Sequence, residues 1–70
     1  SYAFAAFALI GSIGLSTGRL DDAAKAYRSA LGSASQERER INARMGLAAA
    51  LFRAGSVDEA ESICRSLVQE

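Results

Sequence analysis

The side chains of this chain that are best suited to chemistry are one thiol and two acidic pairs. Cys64 is the only cysteine, and the sequence contains no histidine. A reactive thiol needs a basic neighbour, and a zinc site needs further Cys or His ligands. Arg65 is adjacent in sequence but falls on another side of a helix. We therefore expect Cys64 to be an ordinary buried thiol.

The acidic pairs Asp21-Asp22 and Asp58-Glu59 could be taken for general acid/base dyads. Consecutive residues on a helix do not face each other, and both pairs stand where helices are predicted to begin. There, carboxylates complement the positive end of the helix dipole. The chain also lacks a nucleophile–base set and a glycine loop that could hold phosphate. These observations predict a protein without enzymatic activity and without a cofactor or metal.

The positions of these pairs follow from an internal repeat. The heptapeptide that starts at Gly18 (GRLDDAA) recurs in altered form, as GSVDEAE, from Gly55, 37 residues later. Each copy follows one helical stretch rich in Ala, Leu or Ile and opens another. A repeat of this length is typical of helical arrays that hold a partner.

Glycine, capping and periodicity signals predict four helices and no strand. Gly18 and Gly55 are suited to end helices in the left-handed conformation, and Ser56 with Glu59 has the spacing of a capping box. The expected helices cover about residues 2–16, 21–31, 35–54 and 57–69, with a loop at 32–35.

Two of these helices differ in how their apolar residues are arranged. The fourth is amphipathic, with one apolar side (Val57, Ala60, Ile63, Cys64, Leu67 and Val68). The first is apolar nearly all round and carries no charge, so it should be buried on most sides. Its own repeat cannot cover it. We expect a neighbour there, either a preceding repeat or a second copy that associates through Tyr2, Phe4, Phe7 and Leu9.

The pattern resembles the tetratricopeptide repeat family over most of the chain. The residues that carry the resemblance in the first copy are Phe7, Ile10, Gly11, Gly18, Leu20, Ala23, Tyr27, Ala30 and Leu31; in the second they are Leu47, Ala48, Leu51, Gly55, Val57, Ala60 and Val68. Gly14, Arg44 and Cys64 depart from the family's usual residues. The resemblance implies an all-α fold: two antiparallel helix-turn-helix repeats, about residues 2–34 and 35–70, stacked as a short right-handed α-solenoid. We expect one domain, a fragment of a larger protein.

In this family the first helices of successive repeats line a concave surface that binds peptides or partner helices. The resemblance therefore implies a protein-interaction scaffold with a mostly apolar groove. The partner-binding residues that it implies are Ser12, Leu15, Ser16, Asn42, Met45, Ala49, Phe52 and Arg53. Leu15, Met45 and Phe52 also have the spacing expected of packing between repeats.

Charge and hydropathy limit the other classes of partner. The 8 basic residues balance the 8 acidic ones, so no electrostatic footprint for nucleic acid is visible. RNA binding in the manner of the related pentatricopeptide repeats is a less favoured alternative, as is a module for homo-oligomerisation alone. The apolar opening is too short for a membrane span, and we expect a cytoplasmic protein.

Overall fold

A computed structural model of the chain describes residues 2–69, and in this range it contains four helices and no strand. They are α1 (Tyr2–Thr17), α2 (Leu20–Ser33), α3 (Glu37–Arg53) and α4 (Val57–Gln69). The prediction of an all-α fold made of two helical hairpins is confirmed.

Both hairpins reverse direction through the same glycine turn. Gly18 has a φ of 77° and Gly55 a φ of 97°, the left-handed region that glycine tolerates. After Gly18, the Arg19 N–H donates to the Gly14 carbonyl at 2.9 Å; after Gly55, the Ser56 N–H donates to the Leu51 carbonyl at 2.8 Å. These bonds, which reach back five residues, satisfy carbonyls that the helix end leaves free. The repeat seen in the sequence is thus a repeat of backbone geometry.

The connection between the hairpins is shorter than the sequence predicts. Helix α2 runs through Ser33, two residues beyond the expected end at Leu31, and only residues 34–36 remain outside helices. The backbone N–H of Ser35 donates to Glu39 Oε1 at 2.9 Å, and the Ser35 hydroxyl lies 3.3 Å from the same oxygen. The bond from the Ser35 backbone lowers the pKa of the Glu39 carboxyl. A side chain in the first turn of α3 therefore holds the end of the loop.

The capping box predicted at the start of α4 is wrong. Within residues 2–69, the Ser56 hydroxyl and the Glu59 carboxylate make no reciprocal bonds to the backbone; Glu59 Oε2 instead accepts from Arg28 Nη2 at 3.3 Å. This exposed ion pair joins α2 to α4. A long arginine on the neighbouring hairpin competes for the carboxylate that the box would need.

Helix α3 lies in the groove between α1 and α2 and contacts both. The main core joins Ala23 and Tyr27 of α2 to Leu47 and Leu51 of α3, together with Ala60 of α4. A second cluster contains Phe4, Ala30 and Ala43. The second hairpin is therefore attached to the first by its own leading helix, as expected for stacked repeats.

The aromatic ring of Tyr27 is enclosed by two glycines from different helices. A Cβ built on Gly11 of α1 would lie 2.7 Å from Tyr27 Cε2, and one built on Gly46 of α3 would overlap the opposite edge of the ring, at Cε1 and Cζ. Any larger residue at either position would collide with the ring. The two missing side chains make the space that the ring occupies.

Helices α1 and α2 approach each other most closely at Gly14. A Cβ at this position would lie 2.8 Å from the Ala23 Cβ and 3.0 Å from its Cα. In the sequence, Gly11 matches the family pattern and Gly14 departs from it. Gly14 makes the backbone contact, whereas Gly11 makes room for a side chain.

Two expectations about burial are wrong. Cys64 is exposed rather than buried, because α3 covers Ala60 but, within residues 2–69, leaves the part of α4 around Cys64 open; Val68 on the same side is 85% exposed. Conversely, Phe4 belongs to the core and Phe7 packs against it. Of the aromatic residues assigned to a self-association patch, only Tyr2, at 97% exposure, lies free of the core.

Alanine substitutions at Gly46 and Gly32 should shift stability in opposite directions. Gly46→Ala places a methyl group against the enclosed Tyr27 ring, and overpacking of this kind costs about 1 to 3 kcal/mol. Gly32, also helical, has open space around its Cβ position, so Gly32→Ala should add up to about 1 kcal/mol from helix propensity. Urea denaturation measures both variants. Equal effects would contradict the enclosure of the ring.

The stability of the chain should fall at alkaline pH because of Tyr27. Burial raises the pKa of its phenol above the ordinary value of 10.0. The folded state favours the neutral phenol. The contribution of this neutral group to the free energy of unfolding is therefore present in full below about pH 10 and is lost as the pH rises through the higher folded-state pKa.

Tyr27→Phe should remove the fall in stability at alkaline pH that ionisation of Tyr27 causes, while changing stability little at neutral pH. The control is Tyr2→Phe, at a fully exposed position, which should keep the loss. Denaturant titrations at neutral pH and at about pH 11 measure the difference. A Tyr27→Phe protein as sensitive to alkali as the unmodified chain would contradict the argument.

Candidate functional site

A large apolar depression lies between α3 and α4 and is called here the α3/α4 groove. Its volume is about 610 Å³. Helix α3 forms one wall and α4 the other. The residues that line it are Met45, Ala48, Ala49, Phe52, Val57, Ala60, Glu61 and Cys64.

The large side chains of this groove are open to solvent. Met45 is 60% exposed, Phe52 62% and Val57 50%. Single exposed apolar residues are common on protein surfaces, but a contiguous set in a depression is typical of a binding site. Nothing in residues 2–69 covers them.

Among residues 2–69, Glu61 is the only charged residue that lines the groove. Its Oε2 accepts a hydrogen bond from Arg65 Nη2 at 2.9 Å, one turn further along α4. The carboxylate is therefore partly neutralised at the rim by its own helix. An apolar occupant would meet little unpaired charge.

The eight predicted partner-binding residues do not gather in one place. Met45, Ala49 and Phe52 line the α3/α4 groove. Ser12, Ser16 and Asn42 are exposed outside it. The side chain of Leu15 is half-buried against the main core, in the way expected of packing between repeats.

Arg53 connects the two leading helices. Its Nη1 donates to the Leu15 carbonyl at 2.9 Å, so the end of α3 is tied to the end of α1. Two of the predicted residues thus meet directly. This contact uses the Arg53 guanidinium and orders the surface between the two hairpin turns.

Sequence reasoning missed half of the groove. Val57, Ala60, Glu61 and Cys64 form its α4 wall, and all of them except Glu61 belong to the apolar side of α4 that the sequence shows. The amphipathic pattern contained the signal. It shows that one side of α4 is apolar but not that the rest of the chain leaves most of that side uncovered.

A second apolar surface lies at the opposite end of the stack, on α1. Leu9 is 62% exposed, Ile10 52% and Ile13 51%. The last two, with Phe7, border a shallow depression of about 390 Å³ against α2, whose other wall carries Arg19, Asp22 and Lys25. Both ends of the stack therefore expose large apolar side chains. Within residues 2–69, no helix combines the length and the hydropathy needed to cross a membrane.

Comparison with known proteins identifies one family. The sequence profile described as tetratricopeptide repeat matches residues 2–38 and 15–70. No curated protein and no solved structure matches the chain significantly. The profile matches span nearly all of the sequence and agree with its two glycine-turned hairpins. The chain belongs to the tetratricopeptide repeat family.

Proposed function

We propose that this chain is a non-catalytic scaffold that binds an apolar helix or peptide of a partner protein in the α3/α4 groove. Tetratricopeptide repeats are generally protein-interaction scaffolds. The observation that carries the proposal is the set of exposed apolar residues on both walls of one depression, with Met45 and Phe52 on α3 facing Val57 on α4.

The fold itself supports a helical occupant. Helix α3 already fills the corresponding groove between α1 and α2, so this architecture accommodates a helix between two antiparallel helices. Recognition of an amphipathic helix depends on apolar anchors spaced by three or four residues. Phe52 and Met45, two turns apart on α3, would contact such anchors.

The exposed polar residues along the leading helices lie outside the groove, and a partner that extends beyond the groove would contact them as a polar rim. Ser12, Ser16 and Asn42 are accessible for hydrogen bonds, while Arg53 is held by its bond to Leu15. A polar rim around an apolar centre is the usual arrangement of a protein-binding surface. In this proposal the apolar groove supplies most of the affinity and the rim sets the orientation of the peptide.

Phe52→Ala and Met45→Glu should each weaken peptide binding strongly. The first removes an aromatic anchor and the second places a charge in an apolar groove; each should lower affinity about tenfold or more. The probe is a peptide selected from a random phage library against the immobilised chain, with binding measured by fluorescence anisotropy.

The matched control is Tyr2→Ala, which removes an exposed aromatic ring outside the groove. It should leave peptide binding unchanged, and circular dichroism should show the same helicity in all three variants. Selected peptides that bind Phe52→Ala and Met45→Glu as tightly as the unmodified chain would contradict the proposal.

A further inference from the structure

We propose that the α3/α4 groove binds helix α1 of a second copy of this chain. The inference rests on the proposed function, because it names the occupant of the same groove. Such binding would produce a head-to-tail stack, in which the first hairpin of one copy packs on the second hairpin of the previous copy as the next repeat would.

The internal repeat supplies the template for this docking. A shift of 37 residues converts the occupied groove into the open one: Gly11 becomes Ala48, Leu15 becomes Phe52 and Tyr27 becomes Cys64. Helix α3 fills the first groove, and a shift of 37 residues toward the N-terminus leads from α3 to α1. The positions at which α3 faces the first hairpin, Gly46, Leu47 and Ala50, correspond in α1 to Leu9, Ile10 and Ile13.

The side-chain volumes at the centre of the two interfaces are exchanged. Inside the chain, the large Tyr27 ring of the groove meets Gly46 of the entering helix. Between copies, the small Cys64 would meet Leu9. Both interfaces would therefore pair a large residue with a small one. The large residue belongs to the groove in the internal interface and would belong to the entering helix in the contact between copies. Leu9 would not fit against a tyrosine, and it has space against a cysteine.

The entering face of α1 is available for this contact. Leu9, Ile10 and Ile13 are each more than half exposed, whereas their counterparts Leu47 and Ala50 are 6% and 0% exposed in the internal interface. Docking would therefore transfer three aliphatic side chains out of water. These three are the large aliphatic side chains that the first hairpin leaves more than half exposed.

The charges also favour α1 as the occupant. Helix α1 carries no acidic or basic side chain along its length, so its docking buries no unpaired charge. Within the described residues, the groove contributes one charged side chain, Glu61, which already accepts a hydrogen bond from Arg65. The match between a helix without charge and a groove with one partly neutralised charge supports α1 over a strongly charged peptide.

Because the two surfaces differ, the contact is heterologous and does not close on itself by a twofold axis. Association should then proceed beyond a dimer as concentration rises. Sedimentation velocity over a range of concentrations should show a weight-average mass that increases continuously. A chain that stays monomeric at high concentration would overturn the inference.

Cross-linking tests the predicted neighbours directly. The Leu9→Cys variant carries thiols at both faces of the proposed contact, and a short bismaleimide should link it into a ladder of dimers, trimers and longer species. The Ala3→Cys variant also has two exposed thiols, but residue 3 lies about 120° away around α1, so it should give little product. Equal ladders from the two variants would overturn the inference.

An exchange of the two central residues tests the volume argument. Leu9→Gly and Cys64→Tyr should each weaken association about tenfold, the first by removing the apolar anchor and the second by filling its space. The double variant recreates the internal pair of tyrosine and glycine, and should associate at least tenfold more tightly than the product of the two single losses predicts. Losses that simply multiply would overturn the contact.

The two proposals fail in different ways. A monomeric chain that still binds selected peptides through Phe52 and Met45 overturns the self-association and leaves the scaffold function standing. Groove variants that change neither peptide binding nor association overturn both.

Discussion

The arrangement of the first three helices depends on the enclosure of one aromatic ring. Tyr27 projects from α2 between Gly11 of α1 and Gly46 of α3. Its side chain is 6% exposed, so the ring contributes apolar area that the surrounding alanines cannot. Because a side chain at either glycine would collide with an edge of the ring, the positions of α1 and α3 beside α2 both depend on the space that the ring needs, while Gly14 allows the closest approach of α1 to α2.

Much of the fold could be predicted because its signals are local. Gly18 and Gly55 end their helices through bonds to residues only three or five positions earlier, and such motifs can be identified within a short stretch of sequence. The helix bounds predicted from these signals agree with the observed ones to within about two residues. The capping box failed because Glu59 pairs with Arg28, a residue 31 positions away. The role of Gly46 was missed for the same reason, since only the packed structure shows that it faces Tyr27.

The α3/α4 groove was harder to predict than the fold. Periodicity shows that one side of α4 is apolar, but a buried side and a docking side have the same composition. Ala60 is 4% exposed and Val68 is 85% exposed, although both belong to that apolar side. What separates them is the position of α3, which covers one part of α4 and leaves another open. Met45, Ala49 and Phe52 were identified by resemblance, whereas Val57 and Cys64 required the coordinates.

The composition of the core explains why open apolar surfaces matter for this chain. Of the twelve buried hydrophobic residues among those described, eight are alanine, and the hydrophobic contribution of a side chain scales with the area that it removes from water. The larger aliphatic residues lie mostly at the two ends of the stack, where Leu9, Ile13, Met45 and Val57 are at least half exposed. In repeat proteins the interfaces between neighbouring units supply much of the stability. With a single internal interface between its two hairpins, this chain should gain stability from any partner that covers an end of the stack.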